Sequence, residues 1–555
     1  MIAIVAYVVL LTAITPVLGR FMFRVYTSER IGRVEGAIYR VIGVDPNAEQ
    51  RWRRYAACVL WFSGLSMLLS YAVMRLQGHL PLNPVGLGAV GHDVAFNTAA
   101  SFTSNTNWQA YGGETTMSYL SQMLSLTFQN FLSAAVGMSV LIALIRGFLR
   151  TRTDQVGNFW RDTVRGVVYI LLPLSAVFAV ILIVQDVPQT LANSALANGI
   201  QGFSQTIARG PVASQLAIKQ LGTNGGGFFN TNSAHPFEGA GPFANYLQLL
   251  AILAIPAALT FTFGKMIGKA REGWALFAAM MVLTVAALWV TVPQEHSASN
   301  AMRAAGVEAS APNLEGKEVR YGTDQSSLWA VATTAASNGS VDSMHDSYRP
   351  FGMVAPMFAM AVGEVIWGGV GSGLYGMIFY VVIAVFIGGL MVGRTPEYLG
   401  KKIGAREVKL SAIAVLVPFL VVLALTAVAV VIPAGTDARL NTGPHGFSEI
   451  LYAFLSMGNN NGSAFAGLTA SGSFYTIAGG LAMLVVRFVP LLAALALGGS
   501  LAKEGSVPVT GGTLPTDTPL FVGLLDGVIV VVGALTFFPA LALGAIVEGL
   551  TKGVS

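Results

Sequence analysis

The sequence is poor in charge: Asp, Glu, Lys and Arg make up 11% of its 555 residues, where a soluble domain carries roughly 25%. That is too little to cover the surface of a water-soluble protein of this length. It has a single cysteine, Cys58, which excludes a disulfide framework and a cysteine metal centre. It has no G-x-x-x-x-G-K-[ST] loop, no Asp-Lys-Thr-Gly phosphorylation sequence and no polar stretch long enough to fold a nucleotide domain. If ATP powers this protein, another chain hydrolyses it. The run Gly371-Ser372-Gly373-Leu374-Tyr375-Gly376 fits G-x-G-x-x-G, but it lies inside an apolar stretch with no preceding strand and no following acidic residue, so it is no dinucleotide site. His235, His345 and His445 have no metal-ligand partner at useful spacing and read as loop histidines.

What the chain does have is apolar sequence. Hydrophobic residues account for 54%, and the mean hydropathy is +0.64. Stretches long enough to span the hydrocarbon core, about 20 residues each, start near positions 2, 56, 122, 166, 244, 274, 352, 408, 474 and 518. The reading is an all-α polytopic membrane protein with the bilayer as its solvent. In the stretch near 352, Gly363, Gly368, Gly369, Gly371, Gly373 and Gly376 predict a non-helical middle.

The first span has no basic residue before it and a cluster of arginines after it, the reverse of a cleaved signal peptide. It is expected to be an uncleaved anchor with its N-terminus outside. Threading the chain from there puts 22 of the 32 Lys+Arg into the five cytoplasmic linkers. The net charge of +5 then reflects topology, and a nucleic-acid partner is a poor explanation for it.

One pattern recurs in the outside-facing segments: Thr103-Ser104-Asn105-Thr106-Asn107, Thr223-Asn224-Gly225-Gly226-Gly227, Ser337-Asn338-Gly339-Ser340-Val341 and Asn460-Asn461-Gly462-Ser463-Ala464. With Asn105, Asn224, Asn338 and Asn461 as markers, the copies are 119, 114 and 123 residues apart. Each follows a moderately apolar segment, at 94–102, 211–221, 326–336 and 448–455, which predicts a helix, short re-entrant helix, Gly/Asn-rich strand, helix unit. Non-helical backbone at membrane depth must be enclosed by protein or line a watery cavity. Four such units around one axis would enclose it.

A dehydrated cation needs a ring of oxygen ligands; carbonyls supply it where glycine lets them point inward, and Ser and Thr hydroxyls add to it. Carboxylates are nearly absent from the four loops, which disfavours a calcium-type site and suits a monovalent ion. Simple turns between helices would explain one such loop, but four evenly spaced copies favour a shared role. No paired catalytic residues at membrane depth support an intramembrane enzyme.

Arg487, midway along an apolar span, reads as a positive charge beneath the loops that limits cation leakage, or as a snorkelling side chain. Glu364 either braces an unwound gate, lines the ion path or caps a broken helix. Gln109, directly after Trp108, either holds the first loop by hydrogen bonds or is a plain surface glutamine.

Together Ser101-Phe102-Thr103, Asn105 to Gln109, Thr223 to Asn230, Ser233 to Phe237, Gly363 to Gly371, Gly393-Arg394-Thr395-Pro396-Glu397 with its continuation to Lys402, and Asn459 to Gly467 closely resemble the A subunits of bacterial Kdp potassium-transporting ATPases. The resemblance runs over essentially the whole chain. It implies a fold like the potassium-transporter superfamily: repeats at 55–150, 165–270, 272–395 and 408–502, with extra helices at 1–20 and 516–548. It implies a bacterial inner-membrane complex in which a P-type ATPase B subunit hydrolyses ATP, while a C subunit and a single-helix F subunit assist. The A subunit would select potassium from outside and pass it sideways through an intersubunit tunnel.

Carried over by motif, the filter falls on the four loops, with Gln109 flanking the first. Glu364, with Gly369 and Gly371, matches an internal gate, and Arg487 matches a basic residue below the filter. No cofactor is implied beyond the potassium ion carried. In the first loop Thr106 or Asn107 stands where the others have Gly225, Gly339 and Gly462. The alternative is a gradient-driven potassium transporter or channel with a soluble regulatory partner.

Overall fold

A computed structural model describes residues 2–391, 393, 395–508 and 513–551; Arg394, quoted above, lies outside them. Among the described residues ten helices are long and apolar enough to cross a membrane. In chain order, with the shorter helices between them, they are α1 (Ile2–Thr27), α2 (Trp52–His79), α3 (His92–Thr103), α4 (Ser121–Leu149), α5 (Phe159–Val184), α6 (Val212–Leu221), α7 (Pro242–Met266), α8 (Ala270–Gln294), α9 (Gly322–Ala335), α10 (Pro350–Ala361), α11 (Ser372–Met391), α12 (Ala405–Ala429), α13 (Gly443–Gly458), α14 (Ser473–Lys503) and α15 (Pro519–Leu550). An apolar run in lipid must satisfy its backbone groups within itself, and helices do so.

The short helices α3, α6, α9 and α13 each stand between two crossings and end in one of the four loops. In the first two repeats the crossing after the loop is far more buried than the one before it. The most apolar window of α7 is 89% buried against 22% for α5, and α4 is 83% buried against 33% for α2. In these two repeats the helix after the loop therefore lies inside, against the loops, and the one before it lies outside, facing lipid; in the third repeat α8 and α11 are about equally buried, at 56% and 61%. Helix α1 packs on α7, and α15 packs on α8, α10 and α11.

The third repeat departs from this plan where its glycines predict. Helix α10 stops at Ala361, and α11 begins at Ser372 after an irregular segment in which Gly363, Gly368 and Gly371 all have positive φ. At the basic end, the linkers are clamped by Arg165 on Glu35 at 2.8 Å and Arg146 on Asp162 at 2.6 Å. Part of the arginine excess is thus structural.

Candidate cation filter and the cavity beneath it

The loops take their register from backbone hydrogen bonds to the ends of the short helices. In the first loop the N–H groups of Thr106 and Asn107 both donate to Ser101 O, at 2.9 and 3.2 Å. In the second, Asn224 and Gly225 donate to Lys219 O at 2.8 and 3.0 Å, and in the fourth Asn461 donates to Ser456 O at 2.8 Å. The marker residue is the fifth after its acceptor each time. Thr106, Asn224 and Asn461 are therefore equivalent, with Asn338 in the matching place before its glycine, and the marker Asn105 used above is displaced by one position.

The same register settles the first loop: Asn107 stands with Gly225, Gly339 and Gly462. All four have left-handed backbone, with φ of 56°, 79°, 81° and 99°, a region open to glycine and, at lower frequency, to asparagine. The three glycines also leave no room. A Cβ on Gly225 would lie 1.7 Å from Asn338 O, one on Gly462 1.9 Å from Thr106 O, and one on Gly339 2.5 Å from Asn461 O. Asn107 escapes this crowding, and its amide donates to Asn130 Oδ1 on α4 at 2.6 Å.

Asparagine side chains tie each loop to a neighbour. Asn224 Nδ2 donates to Asn105 Oδ1 at 2.6 Å, Asn338 Nδ2 to Gln220 Oε1 at 3.3 Å, Asn461 Nδ2 to Thr333 O and Ala336 O at 2.8 Å, and Asn460 Nδ2 to Thr106 Oγ1 at 2.7 Å. The hydroxyls are also engaged: Thr103 with Gln129, Ser104 with Thr106, Ser337 with Asn459 O, Ser340 with Gln220 and Ser463 with Tyr452. Gln109 bridges the first two loops, accepting from Gly227 N at 2.8 Å and donating to Gly227 O at 3.0 Å. Gly226 packs on Phe102 and Asn107.

Behind the second loop lies a group that sequence reasoning missed. Lys219 and Glu238 are fully buried and form an ion pair. Lys219 Nζ also donates to Asn232 Oδ1 at 2.6 Å, and Asn232 Nδ2 donates to Gly225 O at 2.8 Å. The available signal was a lone lysine near the end of an otherwise uncharged short helix.

Below the loops the irregular segment is hung from them. Val370 N donates to Thr223 Oγ1 at 2.9 Å, and Trp367 N donates to Ala335 O at 2.9 Å. Gly369 lies against Asn105, and Gly371 against the backbone of Gly137 on α4. Glu364 accepts from Gly369 N at 3.1 Å and from the Ser372 hydroxyl at the start of α11. Arg487 Nη1 stands 3.4 Å from Glu364 Oε1, and with a side chain 2% exposed Arg487 is packed inside rather than snorkelling. A cavity of about 50 Å³ lined by Glu364, Tyr375, Asn459 and Asn460 lies on this side. On the other side, residues just past the loops, Gln109, Val341 and Ala464, line a cavity of about 860 Å³. The loops stand between the two.

In the outer region burial pushes Asp342 up to about 7. His445, read from the sequence as a loop histidine, lies in the first turn of α13 and is held by Asp346 and Glu548 at 2.8 Å each. Those contacts span 99 and 103 residues, so local spacing could not reveal them.

Residues 5–550 match the family described as KdpA: Potassium-transporting ATPase A subunit. The chain is 55% identical over 565 residues to the potassium-transporting ATPase potassium-binding subunit of Sorangium cellulosum, covering 98% of this chain and 97% of that one. It is 54% identical over 581 residues to the like-named subunit of Methylococcus capsulatus, covering 99% and 98%. The crystal structure of the potassium transporter TrkH from Vibrio parahaemolyticus aligns over 80% of this chain and 84% of that one, with a TM-score of 0.50 and 14% identity. At that identity the likeness speaks for the fold alone, and the fold it speaks for is a membrane-embedded one. Matched nearly end to end by the family and by relatives more than half identical, this chain belongs to the potassium-transporting ATPase A subunit family.

Proposed function

We propose that the four loops select and bind potassium arriving through the larger cavity and hand it, through the smaller one, to a partner protein that hydrolyses ATP. The observation that carries this is the position of four backbone-equivalent loops between two cavities. The loop asparagines and hydroxyls are bonded to protein, which leaves unengaged backbone carbonyls as the natural ring of ligands. Names of relatives more than half identical give the ion and the ATPase. The finer reading is an inner-membrane complex with an ATP-hydrolysing B subunit, a C subunit and a single-helix F subunit, and an outside N-terminus for this chain. Glu364, Gly369 and Gly371 form its internal gate, and Arg487 places a positive charge below the filter, where it opposes free cation flow.

The test is potassium-stimulated ATP hydrolysis and uptake by the purified complex with Gly225→Asp and Gln109→Ala in this chain. The aspartate collides with the third loop, so the potassium concentration for half-stimulation should rise by about two orders of magnitude or more, an estimate from the loss of a preorganised carbonyl ring. Gln109→Ala should chiefly weaken discrimination against rubidium. Wild-type uptake at micromolar potassium by Gly225→Asp would remove the filter assignment.

A further inference from the structure

Asp526 lies in the first third of α15, about 10 Å along the helix from Pro519 by helical rise, at the end away from the filter loops. It is 8% exposed, both carboxylate oxygens are buried, and no described residue donates to either. Other buried carboxylates are engaged: Glu35 with Arg165, Asp162 with Arg146, Glu295 with Lys317, and Glu272 with Thr516. A carboxyl group at membrane depth without a partner is costly in either protonation state, and such residues mark functional or assembly sites.

Asp526 lines a groove of about 610 Å³ between α8 and α15, with Arg271, Trp274 and Ala278 on one wall and Val522 and Gly523 on the other. The Asp526 wall is the backbone itself. Gly523 and Gly527 stand one turn apart, both exposed, and a Cβ on either would meet nothing within 4 Å. Small residues at this spacing let a second helix approach to backbone contact, and a polar side chain beside them supplies a hydrogen bond across the pair. Acyl chains carry no donor to offer Asp526. A helix with a donating side chain meets both demands.

We propose that this groove seats a transmembrane helix of a partner protein, which packs on the strip from Gly523 to Gly527 and donates a hydrogen bond to Asp526. The inference rests on the reading that an ATP-hydrolysing partner is present in the same membrane complex. It adds where on this chain a partner helix sits and what chemistry holds it.

The test places a benzophenone amino acid at Val522 in the full complex, irradiates native membranes and identifies adducts by mass spectrometry. An adduct with a transmembrane peptide of a co-purifying subunit is expected. In parallel, Asp526→Leu should leave about tenfold less of that subunit bound after detergent extraction, and Asp526→Asn, which still accepts a hydrogen bond, should retain it. If the ATP-hydrolysing subunit co-purifies and turns over but Val522 labels only lipid, a second copy of this chain, or nothing, the docking inference fails and the proposed function stands. If no such subunit co-purifies with the unaltered chain, both fall.

Discussion

The hydroxyl of Thr223 in the second of the four loops accepts a 2.9 Å hydrogen bond from the backbone N–H of Val370, in the break between α10 and α11. The same hydroxyl donates to Gly222 O at 2.7 Å. The second loop and the broken helix below it are therefore joined by one buried side chain, and neither shifts without loss of that bond. Thr223→Val keeps the shape but leaves a buried N–H without a partner, a cost of about 1–3 kcal/mol. The valine variant should melt at lower temperature and show ATP-independent potassium leak in vesicles, whereas Thr223→Ser should behave as wild type. Equal melting and leak in all three would make the tie dispensable.

The pair of Lys219 and Glu238 gives a sharper contrast. Both are fully buried, and the Asn232 that Lys219 orients also holds Gly225 O. Lys219→Met leaves the buried Glu238 without its cation and with only the Phe229 N–H at 3.0 Å on its carboxylate, a loss of about 3–5 kcal/mol by the behaviour of broken buried pairs. Adding Glu238→Gln should restore part of that stability while leaving potassium selectivity impaired, because the Asn232 contact is not rebuilt. Full recovery of selectivity in the double variant would reduce the pair to packing.

What was legible in the sequence follows the range of the forces involved. The crossing helices show because lipid imposes a long apolar run, and the break after Ala361 shows because its glycines cluster. The loops show because left-handed backbone selects Gly and Asn. The register of the first loop does not, because it is set by which N–H reaches Ser101 O, and Asn105 looks more like Asn224 than Thr106 does. Arg487 and Glu364 were each conspicuous alone, but their contact spans 123 residues. Lys219, Glu238 and Asp526 are ordinary charged residues until burial is known.

Asn107 tests the asymmetry of the ring. Its equivalents are glycines held against the next loop, but Asn107 carries a side chain anchored to Asn130. Asn107→Gly should fold, since glycine adopts the same φ more readily. Losing the anchor should relax the first loop, so the rubidium-to-potassium ratio in stimulating ATP hydrolysis should rise several-fold at little cost in melting temperature, by the about 0.5–1.5 kcal/mol of one hydrogen bond. Asn107→Ala adds left-handed strain of about 1–2 kcal/mol and should lower the melting temperature as well. An unchanged ratio in both variants would mean that the first loop does not contribute to selection.

His445 predicts a pH dependence of stability with a definite sign. Burial opposes its charge, but hydrogen bonds to Asp346 and Glu548 outweigh that and push it up to about 10, from about 6.5 in an unfolded chain. The folded protein binds this proton more tightly, so the stabilisation is fully present below about pH 6.5 and is lost as pH rises towards 10. Asp346 N donates to Phe465 O at 2.9 Å, so the cluster braces the chain just beyond the fourth loop, and Glu548 ties it to α15. The difference in melting temperature between wild type and His445→Gln should be largest at about pH 6 and shrink steadily to about pH 9.5. A difference that stays flat across that range would show that the imidazole is neutral in the folded protein and that the two carboxylates do not hold a proton there.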